Sequence, residues 1–440
     1  MMLGENRFGE SLRYFTELAG DVVDASRVHP GESVAGYGPN VTGGTLIRPG
    51  GRDCYPAFWV RDFAMSLESG LIRPEEAVHA LRLTLALQAE EDRRLPSGSF
   101  VPRSAIADHI TFGGVPIFYP GTLDDAENQG GRWGYYPSLD DHYYVIEMAW
   151  HVAHREGRSD VLTDDIDGSR LVDRLALAFS VPQVRSDTEL VWCDEAHRGV
   201  SFGFTDTVMH TGELLFCSLL RYRAAGRLAE FCRRLGRSEE ADAYHRIQQT
   251  IKREIPRTFA DRSGLLRAST GKSAQPDVWG SAFAIYVGAL PEVVATEVGR
   301  ALLRALDDGT ISWRGQIRHV PTDADFSERT AWSHLVGVSA DDPIEERPEN
   351  RLKNRYQNGA YWGTPVGWIC YAIARHDEAT ARRLALRYIN ELQSDDFRMG
   401  PEHGAPWECM HWENDHRQNP VYMASVTCPL GAFRRLGWIT

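Results

Sequence analysis

Ser201-Phe202-Gly203-Phe204-Thr205-Asp206-Thr207 is a small aromatic turn that ends in a carboxylate, with a long apolar stretch directly behind it. Val208, Gly212, Leu215, Leu219, Tyr222, Gly226 and Ala229 recur at helical spacing. Leu214, Phe216, Leu220 and Ala225 make the other faces apolar too, so the pattern predicts a helix from Val208 that is buried nearly all round. Asp206 is then expected at or beside the N-cap of an interior helix, a place where Asp also serves simply as a cap.

Five other segments share this character, each entered through an aromatic and polar loop. They open near Trp59-Val60-Arg61-Asp62, Pro137-Ser138-Leu139-Asp140-Asp141, Pro276-Asp277-Val278-Trp279, Tyr356-Gln357-Asn358-Gly359 and Asn419-Pro420-Val421-Tyr422. Between them lie helices of a second kind, apolar on one stripe only, over 5–19, 74–91, 168–180, 238–256, from Pro291 onward, and 377–393. Their starts carry Pro and acids, as in Pro74-Glu75-Glu76 and Ser238-Glu239-Glu240, which suit a first helical turn. Alternation of the two kinds predicts an all-α chain of six helical hairpins closed into an (α/α)6 toroid, one domain over residues 1–440. The stretches 20–58, 93–136, 309–355 and 394–418 are too long for plain connections and are expected as site walls, with short extended pieces around 96–120 and 309–320.

Composition limits the function classes. A net charge of −13 argues against nucleic acid, which needs a basic face. No run of eighteen apolar residues predicts a membrane span, and no basic-then-apolar leader opens the chain. Seven cysteines without a Cys-x-x-Cys pair read as reduced core residues of a cytoplasmic protein. His403, Cys409, His411 and His416 share one loop but match no zinc spacing, so no metal or other cofactor is expected.

If the six inner helices run parallel, their entry loops converge on one cavity mouth. Arg61, Asp62, Asp140, Asp141, Asp206, Asp277, Gln357 and Asn358 would surround it. Twelve Trp is a high count, and Trp59, Trp133, Trp279, Trp362, Trp407 and Trp412 would offer flat faces to sugar rings there. The bland readings are caps for Asp140 and Asp141, a buried ion pair for Arg61 and Asp62, a turn for Gln357-Asn358-Gly359, and core filling for most Trp.

Phe58-Trp59-Val60-Arg61-Asp62, Gly203-Phe204-Thr205-Asp206, Tyr356-Gln357-Asn358-Gly359-Ala360-Tyr361-Trp362 and Trp412-Glu413-Asn414 followed by Tyr422-Met423-Ala424-Ser425 resemble the six-hairpin, (α/α)6-barrel glycoside hydrolases. The pattern is closest to the trehalases and processing α-glucosidases and covers about residues 55–437. The resemblance implies an inverting glycosidase in which Asp206 is the general acid and Glu413, in the last loop, the general base. Two departures stand out: Thr205 replaces the Trp that precedes the acid in trehalases, and Glu402 and Glu408 share the last loop with Glu413. Glu408 is the alternative base.

Such chemistry needs one carboxyl to protonate the leaving oxygen and a second, about 6.5–9.5 Å away, to activate water on the opposite face. The substrate expected is a neutral oligosaccharide or glycoside, α-glucoside-like and cleaved from an end, contacted by the residues above together with Glu408 and His411. The alternatives are an epimerase or lyase on the same toroid, with His210, His403 and His411 as proton carriers, or a non-catalytic carbohydrate-binding protein. Oligomeric state is not set by these residues.

Overall fold

The computed structural model describes residues 2–52, 54–128, 131, 133–155, 157–324, 356–412 and 415–439. Among them are the helices α1 (Met2–Ser26), α2 (Val60–Ser66), α3 (Pro74–Ala86), α4 (Asp125–Asn128), α5 (Asp141–Arg155), α6 (Leu171–Phe179) and α7 (Leu215–Arg234). The second half adds α8 (Ser238–Phe259), α9 (Val278–Tyr286), α10 (Glu292–Asp307), α11 (Val366–Ala374), α12 (Glu378–Ser394) and α13 (Ala424–Arg435).

The two kinds of helix are real. Every residue of α2 and α9 is buried, as is nearly all of α11 and α13. By contrast α12 buries one stripe, including Ala381, Leu384, Ala385, Tyr388, Ile389 and Leu392, at the spacing of one helical face. Helix α10 does the same with Ala295, Val298, Ala301 and Leu302.

Helices α2, α5, α7, α9, α11 and α13 touch in that order, and α13 returns to touch α2. The one-striped helices lie against them: α3 on α5, α6 on α5 and α7, α8 on α7, α10 on α9 and α11, α12 on α11, and α1 on α12 and α13. Contacts at the two ends give the inner helices a common direction. At their starts Arg61 meets Asp141, and Tyr422 reaches Asp62. At their far ends Arg155 donates to the Leu67 carbonyl, Tyr286 donates to Glu68, and Arg435 lies over Tyr286 and Tyr371, while midway along α5 and α7 Glu147 meets Arg223 and Arg227.

The loops are richer in strand than an all-α chain implies. Short antiparallel ladders run through them. The largest is a five-stranded sheet in the order Ser312–Trp313, Gln316–Arg318, Tyr361–Trp362, Cys409–His411 and His416–Gln418. Polar backbone in long walls has to find partners, and here it finds them in neighbouring loops rather than in helices. No helix among the described residues is long and apolar enough to cross a membrane. All seven cysteines are buried thiols.

Candidate active site

The turn that opens the sequence reading is anchored on all sides. Gly203–Thr205 forms one 3-10 turn and Asp206 follows it. The helix behind begins at Leu215, not Val208, because Gly212, at φ +81°, and Glu213 pair with Cys193 and Trp192 and keep the chain extended. Asp206 is therefore no N-cap of α7, and that helix's dipole does not act on it directly. Gln357 clasps the turn instead: its Oε1 accepts from the Thr207 N–H (2.8 Å) and hydroxyl (3.0 Å), and its Nε2 donates to the Gly203 carbonyl (3.0 Å). Phe202 stacks on Phe216 with centroids 3.7 Å apart.

Beneath the turn lies a buried charge cluster. The Arg61 Nε donates to Asp140 (2.9 Å), and its Nη2 meets Asp108 (2.5 Å) and Asp141 (2.7 Å). Asp140 also accepts from the Gly203 N–H at 2.9 Å, so the acid turn sits directly on the cluster. Asp62 is not the partner of Arg61 that adjacency suggests, since neighbouring residues on a helix do not face each other. Burial alone would raise the Asp108 carboxyl, but Arg61 and His109 overcome it and hold it down at about 2. Asp141 goes the other way, raised well above its ordinary range by burial and by Asp140, Asp108 and Asp62 against the pull of Arg61. One guanidinium does not neutralise three carboxylates, and the surplus charge, with burial, is what holds the Asp141 carboxyl up.

Three further carboxyls come from far apart in the chain, and the charges of Asp62 and Asp206 both act on Glu408. Asp62 accepts from the Tyr422 hydroxyl at 2.5 Å and is pushed up to about 6, chiefly by burial. Asp206 is pushed up to about 6 by burial, against Gln357 and Arg61, and its Oδ1 is buried without a partner. Glu408, only 2% exposed, is pushed up to about 8 by burial and by the charges of Asp62 and Asp206. Donors crowd Glu408: the Tyr55 hydroxyl at 2.9 and 3.0 Å, Tyr356 at 3.4 Å, and the Asn419 side chain.

The remaining expected site residues divide. Trp59 is partly open, one face covered by His109 with centroids 4.3 Å apart. Trp279 and Trp362 are core: they meet edge to face at 5.6 Å, and His319 covers Trp279 at 3.9 Å, so they offer no face to a sugar. Trp133 and His411 are buried, Trp407 is partly buried, and Trp412 is 50% exposed beside Trp313 and Tyr361. Glu413 and the Asn358 side chain lie outside the described residues. His210 sits behind the turn on Ser201, pushed down to about 3 by burial and Arg198, which makes it a poor proton carrier.

Asp108 and Tyr55 are the members that sequence reasoning missed, while Asn419 opens an entry loop already singled out. Asp108 lies in a loop without periodicity, whereas Tyr356 and Tyr422 stood inside motifs already singled out. Away from this centre, Glu68, Glu147 and His151 bring ligand atoms within 4.8 Å of one another, but Arg223 and Arg227 already occupy Glu147 and oppose a cation.

No protein-family model matches the sequence, and no curated protein does. Solved structures do match. A wild-type glycosidase aligns over 98% of both chains with a TM-score of 0.55 at 12% identity. The fold is that of known glycosidases. A glycosidase variant in complex with glucose aligns over 98% of both chains, TM-score 0.58 and 13% identity. The GH63 mannosylglycerate hydrolase of Thermus thermophilus, also with glucose, aligns over 94% of this chain and 98% of its own, TM-score 0.53 and 11% identity. Identities this low establish shared architecture and leave chemistry to the site.

Proposed function

We propose that the chain is a single-domain inverting glycoside hydrolase on a closed (α/α)6 toroid, cleaving a neutral α-glucoside-like sugar from an end, with Asp206 as general acid. The observation that carries this is the meeting of Asp62, Asp206 and Glu408 in one buried centre inside a fold shared with glycosidases. Seven buried thiols suit a reducing, cytoplasmic setting.

Glu408 takes the role of base. A base has to be held as a carboxylate, and hydroxyl and amide donors on both of its oxygens favour that form. Asp206 has no such donors on Oδ1, which leaves that oxygen to carry a proton towards the leaving group. Sugar entry expels water and raises the Asp206 carboxyl further, so it stays protonated near neutrality. Asp62, with Tyr422 behind it, is set to accept from a sugar hydroxyl, and Trp59 lends a wall.

The higher position of Glu408, about 8 against about 6, favours a second reading with the roles exchanged. One pair of variants separates the two. On an O-glycoside, Asp206→Asn and Glu408→Gln should each lose at least about 10²-fold in turnover. On a glycosyl fluoride, whose leaving group needs no proton, Asp206→Asn should recover and Glu408→Gln should not. The opposite pattern exchanges the roles. Activity within about tenfold of wild type for both variants would remove the hydrolase reading. Loss in Glu413→Gln with retention in Glu408→Gln would move the base to Glu413.

A further inference from the structure

Glu408 is held at its tip by Tyr55, Tyr356 and Asn419, but its backbone position is set from elsewhere. The neighbouring Trp407 side chain reaches to Asp395, the residue that ends α12. One oxygen of Asp395, Oδ2, accepts both the Trp407 indole N–H at 2.7 Å and an Arg417 guanidinium N–H at 2.9 Å. Its other oxygen lies 3.1 Å from His403 Nδ1.

Trp407 precedes the outgoing strand Cys409–His411, and Arg417 sits in the returning strand, opposite Met410. A single carboxylate oxygen thus ties both limbs of the hairpin that carries Glu408. Behind the hairpin, Asp395, Trp407, Met410 and Gln316 border only a small cavity of about 10 Å³. Beyond this clamp, the Ser425 hydroxyl holds the Trp407 carbonyl at 2.8 Å, and the Glu408 N–H donates to the carbonyls of Gln418 and Asn419, both at 3.0 Å.

We propose that Asp395 is the positioning residue of this site, setting the reach and burial of the Glu408 carboxyl through Trp407 and Arg417. The inference rests on the reading of Glu408 as base. With the clamp gone, both limbs of the hairpin lose their common tie, Glu408 is held less tightly in its buried seat, and its carboxyl falls back towards the ordinary range. Displacement of a catalytic group by about 1 Å can cost up to about 10²-fold in rate without weakening substrate binding.

The test uses Asp395→Asn, which keeps the size and removes the charge, and Trp407→Phe, which keeps a ring and removes one N–H. In protein carrying 13C-labelled glutamate carboxyls, the Glu408 resonance, identified by its loss in Glu408→Gln, should titrate lower by about one unit in both variants. With α-D-glucosyl fluoride as probe, kcat should fall by at least about tenfold with KM little changed. If Asp395→Asn fails to fold, Trp407→Phe carries the comparison. A Glu408 titration unmoved in the folded variants overturns the proposal whether or not the probe is turned over. Wild-type turnover in Glu408→Gln would instead refute the base assignment, and the titration would still report on the clamp.

Discussion

At the scale of single residues, Gly203 shows how little freedom the acid turn has. A Cβ at this position would stand 2.1 Å from Arg61 Nε. Arg61 cannot step aside, because three aspartates hold its guanidinium. Gly203→Ala should therefore destabilise by about 1–3 kcal/mol and pull Asp206 off its Gln357 clasp. Thermal unfolding reads the first effect and turnover the second. A variant with wild-type stability and rate would show that the turn is not seated on Arg61. Thr205, the departure from the trehalase pattern, spends its hydroxyl on the Phe202 carbonyl at 2.9 Å, a local bond that shapes the turn and leaves Asp206 untouched.

At the scale of elements, the Arg61 cluster joins the start of α2, the loop carrying Asp108, the start of α5 and the acid turn. Removing one partner of a buried ion cluster strands the others, at a cost of about 3–5 kcal/mol. Arg61→Met should show that loss at pH 8 and recover part of it at pH 5. Stranded carboxylates without their cation are raised, and acidification supplies the protons that relieve them. Equilibrium denaturation at the two pH values measures both, and a loss that grows on acidification would mean the cluster is not the source. Helix α7 shows an element whose boundary periodicity misjudged. Residues 208–214 are apolar enough to read as helix, yet Gly212 and Glu213 spend their hydrogen bonds on a ladder with Trp192 and Cys193.

At the scale of the whole molecule, the cycle of inner helices gathers entry loops that the chain keeps far apart, and the gathered acids are costly. Asp62 and Asp206 move from 3.8 to about 6, and Glu408 from 4.5 to about 8. For a carboxyl raised by folding, the favourable contribution is complete below the unfolded value and is lost as pH rises through the folded one. The wild-type protein should therefore lose stability from about pH 4 to about pH 8 at these sites, counter to the usual behaviour of paired acids. Glu408→Gln removes the largest share, so its melting temperature should gain on the wild type as pH rises from 4.5 to 8. A difference that stays flat over that window would place Glu408 in a wetter setting than its 2% exposure implies.

Helix type, the stripes of α10 and α12, the order of inner and outer helices, and the turn that carries Asp206 were all legible along the chain. Periodicity is local, and one helical face is written within a dozen residues. What only the tertiary structure decided is through-space. Among the described last-loop acids, Glu408 is one on which the charge of Asp206 acts. Arg61 answers to Asp108, Asp140 and Asp141, between 47 and 80 positions away, rather than to its neighbour Asp62. Trp279 and Trp362 look like sugar platforms in the sequence and turn out to be core. An acid's partner and an indole's exposure depend on which loops the packed helices bring together, and no spacing within one segment encodes that.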